Sequence, residues 1–211
     1  MLNFKDFFTA CTGLWKTERI YHTILQGEIE RSYTEYRVES LTSEQKQQIL
    51  SLSSLAGLKV DMASFQSEAS ICPGFAIAFD TVSETGEQVS MSLKALFIPD
   101  TYAIDETSNP VPPMPLAAQV SPTEEVIRGF YLRDEGYSEA GAVKSRFTYL
   151  PSRQTLEMTT YYRGSVAVDQ MRMVAPDLRL RTIITYQRPD ANESPTIIDL
   201  VGFGVERRQS I

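Results

Sequence analysis

The first apolar positions fall at helical spacing: Phe4, Phe7, Phe8 and Cys11 occupy i, i+3, i+4 and i+7, one stripe of a short helix. Asn3 is placed to cap it and Gly13 to end it. From Leu14 onward the period drops to two. In the stretch from Ser32 to Glu39, Thr34, Tyr36 and Val38 share one face, with charges on the other. A second helix is predicted over 41–55, where Thr42 and Gln45 form a capping-box pair and Ile49, Leu52 and Leu55 share a side.

The remainder reads as a run of strands, near 58–69, 75–82, 88–98, 127–133, 142–150, 155–162, 166–174, 178–188 and 196–207. Val, Ile, Thr, Tyr and Phe dominate them, and Gly, Pro, Asp or Ser separates most. The connections at 82–88, 150–155 and 174–178 are short enough for hairpins, which require antiparallel neighbours. The stretch from Pro99 to Glu125 breaks the succession. Pro110, Pro112, Pro113, Pro115 and Pro122 keep it out of any sheet interior, and a loop of that length is expected to be functional or disordered.

A meander of about eleven strands with two helices folds as a sandwich or as an up-and-down barrel. Short sequential turns favour the barrel, whose closure removes exposed edges. The expected class is therefore all-β with minor α: a lipocalin-like or fatty-acid-binding-protein-like antiparallel barrel, one domain over 1–211. A barrel of this size can enclose a small ligand. The N-terminal Phe stripe is placed to plug one end.

Composition removes several functions. Acidic residues outnumber basic ones 27 to 20, for a net charge of −7, which argues against a nucleic-acid partner. No apolar run is long enough for a membrane span, and the opening residues do not read as a secretory signal, so a cytoplasmic protein is expected. One histidine, His22, rules out imidazole metal cages, and no metal site is expected. Cys11 and Cys72 form neither a CxxC motif nor a disulfide framework. There is no P-loop, and Gly202-Phe203-Gly204 is too short to cradle a phosphate.

Two segments concentrate chemistry. One, Gly13 to His22, holds the only Trp, the only His and Arg19. The other runs from Asp169 to Thr182, and its Pro176-Asp177 turn places Arg179 and Arg181 on one face of the following strand. Either both arginines face solvent while Leu178 and Leu180 fill the core, or the reverse holds. Arginine is rarely buried without a partner, which on the residues alone favours the first arrangement.

These segments resemble the S-type (CpcS/CpeS) phycobiliprotein lyases of cyanobacteria and cryptophytes. The family's G-x-W-x-S-x-R-T-x-H opening is matched by Gly13, Trp15, Thr17, Arg19 and His22. Its C-terminal signature is matched from Asp169 through Met173, Ala175, Pro176, Leu178, Arg179, Arg181 and Thr182. Phe97 to Asp100 and Tyr131 to Tyr137 also look familial, and the similarity spans roughly residues 7 to 188. It departs where the family's glutamate is Asp169, where a tryptophan is Phe79, and where the signature's Trp is Met173.

The resemblance implies an enzyme that binds an open-chain tetrapyrrole such as phycocyanobilin, as substrate and not as a tightly held cofactor. It implies transfer of that bilin, through a thioether, to a cysteine of a phycobiliprotein α or β subunit. Oligomerisation, as a homodimer or with a related lyase, is compatible with it. On this reading Arg179 and Arg181 meet the bilin propionates, Asp169 accepts from its pyrrole N–H groups, and these three form the catalytic set. His22, Trp15, Arg19, Phe79 and Tyr161 join the two arginines in lining the bilin site. A non-catalytic carrier of bilin or lipid, or a phycobilisome assembly protein, are the alternatives.

Overall fold

The computed structural model describes residues 1–53, 58–61, 72–104, 113–136, 141–190 and 193–210. Helix α1 (Phe4–Cys11) leads into β1 (Gly13–Thr23) and β2 (Glu28–Ser40), then α2 (Ser43–Ser53). There follow β3 (Lys59–Val60), β4 (Gly74–Ser83), β5 (Gln88–Pro99), β6 (Ala103–Ile104) and β7 (Ile127–Arg133). The chain ends in β8 (Val143–Leu150), β9 (Thr155–Tyr161), β10 (Ser165–Ala175), β11 (Leu178–Gln187) and β12 (Ile198–Arg208).

Ten of these strands close a barrel in the order β1-β12-β11-β10-β9-β8-β7-β5-β4-β2. Every neighbouring pair is antiparallel, and closure is made by β1, which pairs with β12 on one side and β2 on the other. β3 and β6 pair only with each other, outside the barrel. Of the expected strand over 58–69, Lys59–Val60 is strand, and 62–69 lies outside the described residues. Leu55, expected in the second helix, also lies outside them.

Local sequence chemistry explains both helices. Asn3 Oδ1 accepts from the Asp6 backbone N–H at 2.9 Å, capping α1. Thr42 and Gln45 form the capping box of α2, each side chain accepting from the other's backbone N–H, at 3.2 and 2.9 Å. Thr12, not Gly13, follows α1 as its cap residue; Gly13, at φ +120°, turns the chain into β1.

α1 closes one end of the barrel. Phe4 stacks on Phe147 with ring centroids 5.4 Å apart, and Phe8 meets Phe97 at 4.6 Å. Trp15 Nε1 donates to the Cys11 carbonyl at 2.9 Å, locking the helix to β1. Fully burying each such aromatic side chain stabilises the fold by about 2 kcal/mol.

Two outer layers cover parts of the wall. α2 lays Ile49 and Leu50 against Leu96 and Ile98 of β5 and Leu132 of β7. The long loop is not without structure: it forms short 3₁₀ turns at Asp100–Tyr102 and Leu116–Ala118, while 105–112, with Pro110 and Pro112, lies outside the described residues. Residues 113–118 run as a strap over the outside of the barrel, with Ala118 packed on Val166, Val168 and Tyr186. Among the described residues no helix is long and apolar enough to cross a membrane.

Candidate functional site

Strand alternation decides which side chains enter the barrel. On β1 the inward series is Trp15, Thr17, Arg19 and Tyr21, matched across the β2 ladder by Tyr36, Thr34, Ser32 and Glu30. On β11 Arg179 and Arg181 face inward, opposite Glu206 and Gly204 of β12. Asp169 enters from β10 and Arg133 from β7, so both line the interior space.

Arg179 is almost wholly enclosed, with 1% of its side chain exposed. Its Nε donates to Glu206 Oε2 at 2.9 Å, its Nη2 donates to the Tyr36 hydroxyl at 2.6 Å, and its guanidinium lies 3.8 Å over the Trp15 ring. Burial alone would raise the Glu206 carboxyl; Arg179, Arg181 and Arg19 around it overcome that and hold it below the usual carboxylate range. Burial pushes the Tyr36 hydroxyl up, so it stays protonated.

Arg181 sits one rung nearer the open end. Its Nε donates to Asp169 Oδ1 at 2.7 Å and its Nη2 to Asp169 Oδ2, a bidentate fork. Its Nη1 lies 3.9 Å from Glu206 Oε1. On the facing wall Arg133 Nη2 donates to the Tyr162 hydroxyl at 2.6 Å, and the Thr160 hydroxyl is hydrogen-bonded to those of Tyr131 and Ser145.

Arg19 is held more loosely. Its Nη2 reaches Glu206 Oε1 at 3.4 Å and its Nη1 the Tyr21 hydroxyl at 3.5 Å, and its buried Nε has no acceptor. Glycines on β12 make this packing possible: a Cβ on Gly204 would come within 3.1 Å of Arg19 Cγ, and one on Gly202 within 2.5 Å of the Tyr21 ring. The pair too short to cradle a phosphate therefore makes room for an arginine and a tyrosine.

Between these groups lies a narrow cavity of about 30 Å³, lined by Tyr36, Tyr131, Arg133, Met158, Asp169 and Arg181 among others. The guanidinium groups of Arg19, Arg133, Arg179 and Arg181 face inward together with the Asp169 and Glu206 carboxylates. A wall of this kind suits a flat, conjugated ligand with carboxylate arms.

The expected site residues divide. Asp169, Arg179 and Arg181 come together inside, with Trp15 under Arg179 at the closed end, Arg19 toward the open end, and Phe79 half-buried against the core. His22 and Tyr161 do not line the interior. His22 is on the outer wall, its ring stacked 5.9 Å from Phe203. Tyr161 is also outside, under the strap, where its hydroxyl donates to the Pro113 carbonyl at 2.7 Å. Each lies an odd number of residues from an inward neighbour, so the pleat turns it out.

The sequence reading missed Glu206, which is fully buried and touches three arginines. It also missed Glu157, buried on the outer face of β9 and hydrogen-bonded by Thr159. Burial pushes the Glu157 carboxyl up to about 7, against the hydrogen bond from Thr159.

Comparison with known proteins agrees with the architecture. The model of the CpeS-like protein family matches residues 3–109 and 114–209. The chain is 37% identical over 205 residues to the chromophore lyase CpcS/CpeS 1 of Synechococcus sp. (strain JA-3-3Ab), covering 97% of this chain and 96% of that protein. The solved structure of the S-type phycobiliprotein lyase CPES from Guillardia theta superposes with a TM-score of 0.64 at 15% identity, over 100% of this chain and 95% of the other. That likeness shows a shared fold.

Proposed function

The chain belongs to the CpeS-like protein family, and from that premise we propose that it is a chromophore lyase. It takes an open-chain tetrapyrrole into the barrel and joins it through a thioether to a cysteine of a phycobiliprotein α or β subunit. Phycocyanobilin is the bilin taken as its type. The observation that carries this reading is the inward placement of Arg179 and Arg181, whose side chains are 1% and 12% exposed, beside a narrow interior cavity.

The residues divide the work by how far each is already committed. Arg179 is held by Glu206, Tyr36 and Trp15, so its part is to build the cationic floor. Arg181 and Asp169 form an ion pair at the cavity wall. There the guanidinium attracts a propionate, and the carboxylate accepts from pyrrole N–H groups and favours the protonated, more electrophilic pigment. Arg19, with its long contacts, is the guanidinium freest to turn to a carboxylate.

The acceptor cysteine attacks as its thiolate at the A-ring ethylidene carbon. A C–S bond forms there, the C=C electron pair moves into the ring system, and a proton equivalent to the one lost by the thiol is taken up on the ring carbon. The protein's contribution is orientation and electrostatic stabilisation of a cationic pigment, without a covalent intermediate on the lyase. Burial raises the Cys11 thiol, which fits that reading.

Reconstitution tests this. The protein is mixed with phycocyanobilin and an apo-phycobiliprotein subunit, and the subunit is examined by mass and by absorption after acid–urea denaturation. A lyase leaves the subunit heavier by one bilin, faster than without the protein. A carrier changes the bilin spectrum and leaves the subunit unmodified.

A further inference from the structure

Arg19 Nε and Ser32 Oγ, both inside the barrel, have no hydrogen-bond partner among the described residues, and they belong to residues paired across one ladder. Both atoms are buried, and Arg19 of β1 lies directly opposite Ser32 of β2. Side chains at directly opposed positions share a face and stand about 5 Å apart at Cβ. Ser32 is 2% exposed and belongs to the lining of the open end, with Tyr21, Thr81 and Leu200.

Leaving a hydroxyl and a guanidinium N–H buried without partners is costly, so folded proteins avoid it. A group that satisfies both must accept hydrogen bonds and must balance positive charge. A carboxylate does both: one oxygen takes the Arg19 Nε–H and the other the Ser32 O–H. The remaining Arg19 contacts, at 3.4 Å to Glu206 and 3.5 Å to Tyr21, are long enough to yield to a better acceptor.

We infer that Ser32 and Arg19 together receive one carboxylate arm of the tetrapyrrole, making Ser32 a ligand-binding residue near the open end of the barrel. The inference rests on the reading of the interior as a tetrapyrrole site. Glu28 and Glu30 also border this opening, but both are exposed and are screened by solvent, whereas Ser32 lies deeper. An arm held here leaves Arg181 and Asp169, deeper in the barrel, for the rest of the pigment.

The test compares two probes, biliverdin and biliverdin dimethyl ester, titrated against the whole protein by absorption. The wild type should bind the diacid more tightly than the ester. Ser32→Ala should weaken the diacid about tenfold, or ~1.4 kcal/mol, and leave the ester unchanged. Ser32→Thr, which keeps the hydroxyl, should restore the diacid. The unfolding midpoint of Ser32→Ala should stay level or rise, because the hydroxyl removed has no partner in the fold. Unchanged diacid affinity in Ser32→Ala, or equal loss of both probes, overturns the subsite while the interior reading stands. A wild type that binds neither probe overturns the interior reading and the subsite with it.

Discussion

Arg179 and Glu206 face each other across the β11–β12 ladder, both enclosed, with Arg179 Nε 2.9 Å from Glu206 Oε2. Removing one partner leaves the other charge buried and uncompensated. Arg179→Leu should therefore destabilise the barrel by about 3–5 kcal/mol. The double variant Arg179→Leu, Glu206→Leu should cost less than the two single changes summed, because neither Arg179 nor Glu206 is left without the other. Urea unfolding of the three variants measures this coupling.

Glu206 and Glu157 impose opposite pH dependences. The Glu206 carboxyl is held below its unfolded value, so its contribution is complete above that value and is lost as pH falls through the folded one. Glu157 is pushed up to about 7. Between roughly pH 4.5 and 7 the folded chain holds a proton there that the unfolded chain has lost, so stability falls as pH rises through that window. The fall is on the order of 3 kcal/mol. In Glu157→Gln the fall should vanish while the acid-side loss from Glu206 remains, which unfolding midpoints across pH 3 to 8 will show.

The strap provides a control for the site assignment. Tyr161 lies outside the barrel and holds the Pro113 carbonyl, as Gln170 Nε2 holds the Ala117 carbonyl at 2.8 Å. Tyr161→Phe should cost about 1 kcal/mol of stability and raise hydrogen exchange over 113–118. Bilin affinity should not change, since the ring does not line the interior.

Asp169 and Arg181 should separate binding from pigment protonation. Arg181→Leu removes a cation from the cavity and should weaken a diacid bilin by tenfold or more. Asp169→Asn keeps the shape of the side chain and removes its charge. It should leave affinity closer to wild type but shift the absorption of the bound pigment away from the protonated form. Parallel titrations and spectra of the two variants distinguish these effects.

The sequence carries the local part of this structure plainly. The α1 stripe, the Thr42–Gln45 box and the hairpin turns are set by neighbours within a few residues. Period two also carries more than residue type does: with Trp15 inward, Arg19 four residues on is inward and His22 seven residues on is outward. The motif match gives His22 a ligand role and the need for flat apolar walls gives Tyr161 one, whereas the pleat puts both on the outer wall. Glu206 is different in kind. Its partner Arg179 lies 27 residues away, and its role follows from the register of β11 on β12, which no local pattern encodes. Arg179 and Arg181 could be buried because Glu206 and Asp169 pair with them, and those pairings become visible only once the barrel is closed.

The most direct measurement is a crystal structure of the protein soaked with phycocyanobilin. Pigment density is expected inside the barrel, alongside Asp169 and Arg181, with a carboxylate arm at Arg19. Pigment bound on the outer wall against His22 and Phe203, with the interior unchanged, would contradict it.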